Sequence, residues 1–143
     1  MKYIDSNVFI YPIIADEKVE KKAKFSRLVL LKIAEGRLEA LTSVLTWDEV
    51  VWVVRKFLGK EASIDIGEKF LRFPHLKFLP VTLDITLKAQ KFIEIYDIKP
   101  RDAIHAACAL KNNVNEIISY DKDLDKVEEI KRVSPKDLFK RVI

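Results

Sequence analysis

The chain has 143 residues, of which 49% are hydrophobic and 34% charged, a balance that excludes a disordered polymer and allows one domain, residues 1–143, with a substantial core. No run approaches the roughly 18–20 uninterrupted apolar residues of a membrane span, and the N-terminus lacks a signal-peptide pattern, so a cytoplasmic location is expected. A formal charge of +4 permits a nucleic-acid partner without demanding one, because 22 acids are interspersed among 26 bases.

In chain order, KYI (2–4) reads as a short strand, and Asp5-Ser6-Asn7 as a polar turn before Val8-Phe9-Ile10. Residues 17–36 have the apolar spacing of one long helix, stopped by Gly36. LEALTS (38–43) reads as a strand. TWDEVVWVVRKFLG (46–59) reads as a helix, with Thr46 and Glu49 spaced as a capping box that outweighs the β-branched VVWVV. A helical segment leads to Phe73-Pro74, followed by a strand at 76–81 and a helix at 82–96. Pro100 starts a further helix through residue 111. EIISY (116–120) is a strand, IKRV a short one, and SPKDLFKRVI a closing helix capped by Ser134. Strands alternating with helices predict a three-layer α/β/α domain with a mostly parallel central sheet, in which ligands sit beyond the carboxyl ends of the strands.

Four acids fall at such places. Asp5 ends the first strand, Glu49 lies early in the helix after the second, Asp102 is in the first turn after Pro100, and Asp121 follows IISY. Each has an ordinary explanation as a cap, a capping-box partner or a charge at a helix N-terminus. With parallel strands, however, all four approach one edge of the sheet. Converging carboxylates repel, and one protonates unless a cation neutralises them. Oxygen ligands without His or Cys companions suit Mg²⁺ or Mn²⁺, which can activate water for attack on a phosphodiester.

At these residues the chain resembles the PIN-domain family, and within it the VapC-type toxins of toxin–antitoxin pairs. IDSNVFI is similar to the family's strand-Asp-[Thr/Ser]-[Asn/Ser] opening, TWDEVVWVV to its glutamate-bearing helix, RDAIHAACAL to its R-D-A-x-H-x-A-x-A helix, and ISYDKDL to its closing [Ser/Thr]-x-D-x-D segment. The resemblance implies a Mg²⁺- or Mn²⁺-dependent endoribonuclease whose acids are Asp5, Glu49, Asp102 and Asp121, with Asn7, Ser119, Arg101 and Asp123 in support. The last acid is open between Asp121 and Asp123, with Asp125 close behind; Asp121 is preferred because it directly leaves the strand. The resemblance also implies an RNA substrate, a homodimer and a small antitoxin that occupies the site. Alternatives are RNA maturation or quality control on the same site, and a non-catalytic interaction module. Asn7 argues against a haloacid-dehalogenase-type phosphatase, which needs a second Asp at that position.

The remaining residues have plainer readings. Cys108, the one cysteine, sits among alanines as a small buried side chain. His105, one turn after Asp102, reads as a buried or hydrogen-bonded imidazole rather than a metal ligand. Trp47, Trp52 and Phe57 lie on a helix apolar nearly all round, which needs cover from the core, a second copy or the antitoxin. Arg101 and the basic residues at 18–27 are candidates for phosphate contacts.

Overall fold

The computed structural model describes residues 1–142. Five strands, β1 (Lys2–Ile4), β2 (Ala40–Ser43), β3 (Leu76–Leu79), β4 (Glu116–Ile118) and β5 (Lys131–Val133), form one sheet in the order β3-β2-β1-β4-β5. Every pairing is parallel, with Tyr3 opposite both Leu41 and Ile117. The helices are α1 (Ser6–Ile14), α2 (Lys21–Ala34), α3 (Val44–Leu58), α4 (Lys60–Leu71), α5 (Leu83–Ile95), α6 (Pro100–Lys111) and α7 (Pro135–Val142), and a 3₁₀ turn spans Lys122–Lys126. This is the expected three-layer α/β/α arrangement.

Side chains alternate across the strands and build two cores. Tyr3, Leu41 and Ile117 face α5 and α6 with Ile85, Ala89, Phe92 and Ala106. Ile4, Ala40, Ile118 and Val133 face the other way, toward Val8, Phe9, Val29, Val50, Val54 and Leu138. Helix α6 carries Ala103, Ala106, Ala107, Cys108 and Ala109 wholly buried; small side chains let its backbone lie close on the sheet. Pro100 occupies its first turn, where the missing N–H costs nothing.

Several boundaries differ from the sequence reading. Val8-Phe9-Ile10 belongs to helix α1, which starts directly after Asp5. Its Pro12 is tolerated near the C-terminal end of this short helix, where few backbone bonds depend on it. Residues 17–20 precede α2, whose cap is Glu20 bonding the Lys22 N–H. The second strand starts two residues later than its sequence reading, and the third and fourth each stop two residues earlier, because their flanks turn into loops and caps. Thr46 and Glu49 form no capping box. Helix α3 begins at Val44, Ser43 occupies its cap position without a side-chain capping bond, and the Thr46 hydroxyl instead lies 2.6 Å from that of Thr42. The closing helix runs to Val142; Ile143, included in the sequence reading, lies outside the described residues. Among the described residues no helix is long and apolar enough to cross a membrane.

Candidate metal centre

The strand order changes direction between β1 and β4, the place where an open parallel sheet leaves a crevice beyond its strand ends. The backbones meet there: the Asp5 N–H donates to the Ile118 carbonyl at 3.0 Å. Asp5 therefore leaves the sheet buried, at 3% exposure, and caps α1 by accepting from the Ser6 N–H at 2.7 Å. Ser119, one residue beyond β4, donates to Asp5 Oδ2 at 2.5 Å and accepts from Asn7 Nδ2 at 3.1 Å and from the Asp121 N–H at 2.9 Å. Asn7 also donates to Asp5 Oδ2 at 3.3 Å, while its Oδ1 accepts from the Tyr120 N–H at 3.4 Å. One small polar net thus locks the β1 and β4 exits together.

Asp102 enters from the first turn of α6, and Asp121 and Asp123 from the segment after β4. One oxygen of each lies within 4.8 Å of the others. Asp121 caps the 3₁₀ turn by accepting from the Asp123 N–H at 2.9 Å, which brings both acids to the same side. Asp123 also pairs with Lys126 at 3.2 Å. Asp125 points elsewhere: Arg132 binds both of its oxygens at 2.9 and 3.2 Å and donates a third bond to the Ser119 carbonyl. The guanidinium thereby braces the turn carrying the cluster. Asp121 and Asp123 both join Asp102, so the choice between them set up by the sequence does not arise geometrically.

Glu49 arrives from the other side, on the second turn of α3. Its Oε1 accepts from His105 Nε2 at 2.6 Å and its Oε2 from Ser6 Oγ at 3.2 Å. The same imidazole nitrogen is 3.5 Å from Asp5 Oδ1, so His105 links the two acids that stand outside the three-aspartate group. Burial opposes protonation of His105, but the charge of Asp5 and the hydrogen bond and charge of Glu49 outweigh it and raise its proton affinity. Glu49, Lys99, Pro100, Arg101, Asp102 and Asp121 line an open cleft of 420 Å³. Arg101 lies on its rim, exposed.

Burial, the charge and hydrogen bond of Asp121 and the charge of Asp5 push the Asp102 carboxyl up to about 7. Such a rise is what close carboxylates undergo without a cation to share. The donors are all hard oxygens, with Asp102 and Asp121 on the cleft wall, and they fit a divalent ion of the Mg²⁺ or Mn²⁺ class, held by Asp102, Asp121 and Asp123 with Glu49 across the cleft. Tyr3 was missed by the sequence reading: its hydroxyl lies 2.6 Å from His105 Nδ1. The available signal was a phenol in the middle of a short strand, which has to find a polar partner when buried.

The family model described as PIN domain matches residues 2–130. No curated protein matches the chain. Among solved structures, the sarcin–ricin-loop-cleaving toxin VapC20 of Mycobacterium tuberculosis is similar with a TM-score of 0.72 and 13% identity, over 90% of this chain and 95% of that one. FitAcB of Neisseria gonorrhoeae has a TM-score of 0.70 and 16% identity, over 95% and 99% of the two chains. DNA-bound VapBC of Salmonella typhimurium has a TM-score of 0.69 and 14% identity, over 94% and 97%. At these identities the likeness is one of fold.

Proposed function

The chain belongs to the PIN-domain family, and from that premise we propose that it is a divalent-metal-dependent endoribonuclease of the VapC toxin type, acting as a single domain. The observation that carries this reading is the convergence of Asp102, Asp121 and Asp123 within 4.8 Å, at a cleft whose wall includes Glu49. When bound, a Mg²⁺ or Mn²⁺ ion supplies positive charge that acidifies water and offsets the charge of a phosphodiester under attack. Asp102, Asp121 and Asp123 hold the ion. Asp5, fixed by Ser6, Asn7 and Ser119, adds negative potential from beneath. Arg101 and Lys99, on the cleft rim, receive the flanking phosphates of an RNA strand. Trp52 and Phe57, 58% and 61% exposed on α3, support a surface covered by a second copy or a small antitoxin.

The test is cleavage of single-stranded RNA by purified protein with Mn²⁺, beside Asp102→Asn. Wild type should cleave and lose activity in chelator, and the variant should be slower by about 100-fold or more, the range seen when one electrostatic partner of a reacting centre is removed. Equal rates would remove Asp102 from the site. Growth arrest on expression, relieved by the product of a neighbouring short reading frame, would support the toxin role over RNA maturation.

A further inference from the structure

We propose that Tyr3 and His105 form a positioning relay that holds the Glu49 carboxylate at the cleft, an inference that rests on the metal-dependent nuclease reading above. His105 is 1% exposed on α6, whose other buried residues are the site acid Asp102 and the small Ala103, Ala106, Ala107, Cys108 and Ala109. An apolar side chain would fill that volume without needing any partner, so packing alone does not call for an imidazole. Its polar contacts all lead to or from the site. Nε2 donates to Glu49 Oε1 at 2.6 Å and stands 3.5 Å from Asp5 Oδ1, and Nδ1 lies 2.6 Å from the Tyr3 hydroxyl. Tyr3 in turn donates to Ser43 Oγ at 2.9 Å, anchoring the line at the end of β2.

Glu49 is long and flexible, and it comes from a helix that contributes no other acid to the cleft lining. Gripped at Oε1 by His105 and at Oε2 by Ser6, it loses its rotational freedom before any cation or substrate arrives. Tyr3 prevents the ring from turning, so that Nε2 keeps facing the carboxylate. His105 touches neither cation nor RNA in this scheme; it acts through Glu49. Outer partners of this kind commonly contribute 10–100-fold to metal affinity or activity.

The experiment measures Mn²⁺ affinity by calorimetry without RNA, then kcat and KM on single-stranded RNA, for four variants. His105→Leu removes the donor at similar volume. His105→Gln keeps an N–H at about the same reach. Tyr3→Phe removes one hydroxyl and keeps the ring, so it reports even if His105→Leu does not fold. Asp102→Asn tests the cation site itself. The relay predicts Mn²⁺ binding weakened about tenfold in His105→Leu, restored to within about threefold in His105→Gln, and intermediate in Tyr3→Phe. It also predicts that kcat falls in the same order while KM for RNA stays constant. If His105→Leu and Tyr3→Phe bind Mn²⁺ and turn over as wild type does, while Asp102→Asn does not, the relay is wrong and the nuclease reading stands. If Asp102→Asn binds Mn²⁺ as tightly as wild type, the cation site is wrong and the relay falls with it.

Discussion

Asp102 shows at the scale of one residue how a site can oppose the fold that carries it. Its carboxyl is buried against Asp121 and Asp5 and holds its proton up to about 7, against an ordinary value of 3.8. An acid that binds its proton more tightly folded than unfolded contributes stability fully below its unfolded value, and that contribution disappears as pH rises through the folded one. In chelator, the wild-type protein should therefore lose stability between about pH 4 and 7. Asp102→Asn, isosteric and uncharged, should be more stable than wild type at pH 8 by on the order of 1–3 kcal/mol, an advantage that shrinks as pH falls below 7 and vanishes near pH 4. Excess Mn²⁺ should reverse the order at pH 8, because only the wild type gains binding free energy. Thermal melts followed by circular dichroism read all three conditions. A variant less stable than wild type in chelator at pH 8 would mean that Asp102 is a structural acid.

Helix packing explains which elements could be read from the chain and which could not. The β-branched run of α3 suits a strand as well as a helix, and only the Thr46–Glu49 spacing favours the helix there. The strands and helices α5 and α6 were legible because apolar spacing matches burial: Ile85, Ala89 and Phe92 of α5, and Ala103, Ala106 and Ala107 of α6 are all buried. Helix α1 was not, since its nine residues, SNVFIYPII, are apolar nearly throughout and include a proline, leaving no stripe to betray a period of 3.6. The Thr46–Glu49 spacing suggested a cap, yet Thr46 pairs with the Thr42 hydroxyl four residues back and Glu49 with the distant His105. Local pattern cannot foresee a competitor from α6. Asp5, Glu49, Asp102 and Asp121 stand out in the sequence by their places after strand ends and in motifs, with Asp123 only in support, and Tyr3 does not, because a strand tyrosine says nothing of the helix above it. Packing of α3 on α4 gives a test at this scale. A methyl group on Gly67 would stand 2.9 Å from Val51 Cγ2 and 3.3 Å from Trp47 Nε1. Gly67→Ala would gain about 1 kcal/mol of helix propensity but incur about 1–3 kcal/mol of overpacking against a stiff β-branched neighbour. Urea denaturation should show a net loss of about 1 kcal/mol, and Val51→Ala in the same chain should recover much of it. Strict additivity of the two substitutions would contradict the close approach of these helices.

For the whole molecule, net charge and local charge point in opposite directions. The chain carries +4 overall, yet the end of the sheet that faces the cleft gathers Asp5, Glu49, Asp102, Asp121 and Asp123. The RNA substrate of the proposed nuclease would therefore have to be drawn in by cations placed beside these acids rather than by the average surface. Two basic groups compete for that part. Lys99 and Arg101 line the cleft itself. The basic run on α2 is partly committed, with Arg27 bonded to Glu17 at 2.6 Å and Lys22 set over the rings of Tyr11 and Tyr120 at 5.5 and 5.4 Å. The cleft pair is thus expected to make the phosphate contacts. Each contact to single-stranded RNA adds about 0.7 to the slope of log affinity against log salt. Replacing Lys99 and Arg101 together by alanine should flatten that slope by about 1.4, two contacts at ~0.7 each. Replacing Lys21 and Lys24 should leave it unchanged. Fluorescence anisotropy in chelator, where the RNA stays intact, measures both. An unchanged slope for the cleft pair with a flattened one for the α2 pair would route the RNA over α2. The acids would then face a strand that enters from the β1–α1 side, with Arg101 left to hold none of it.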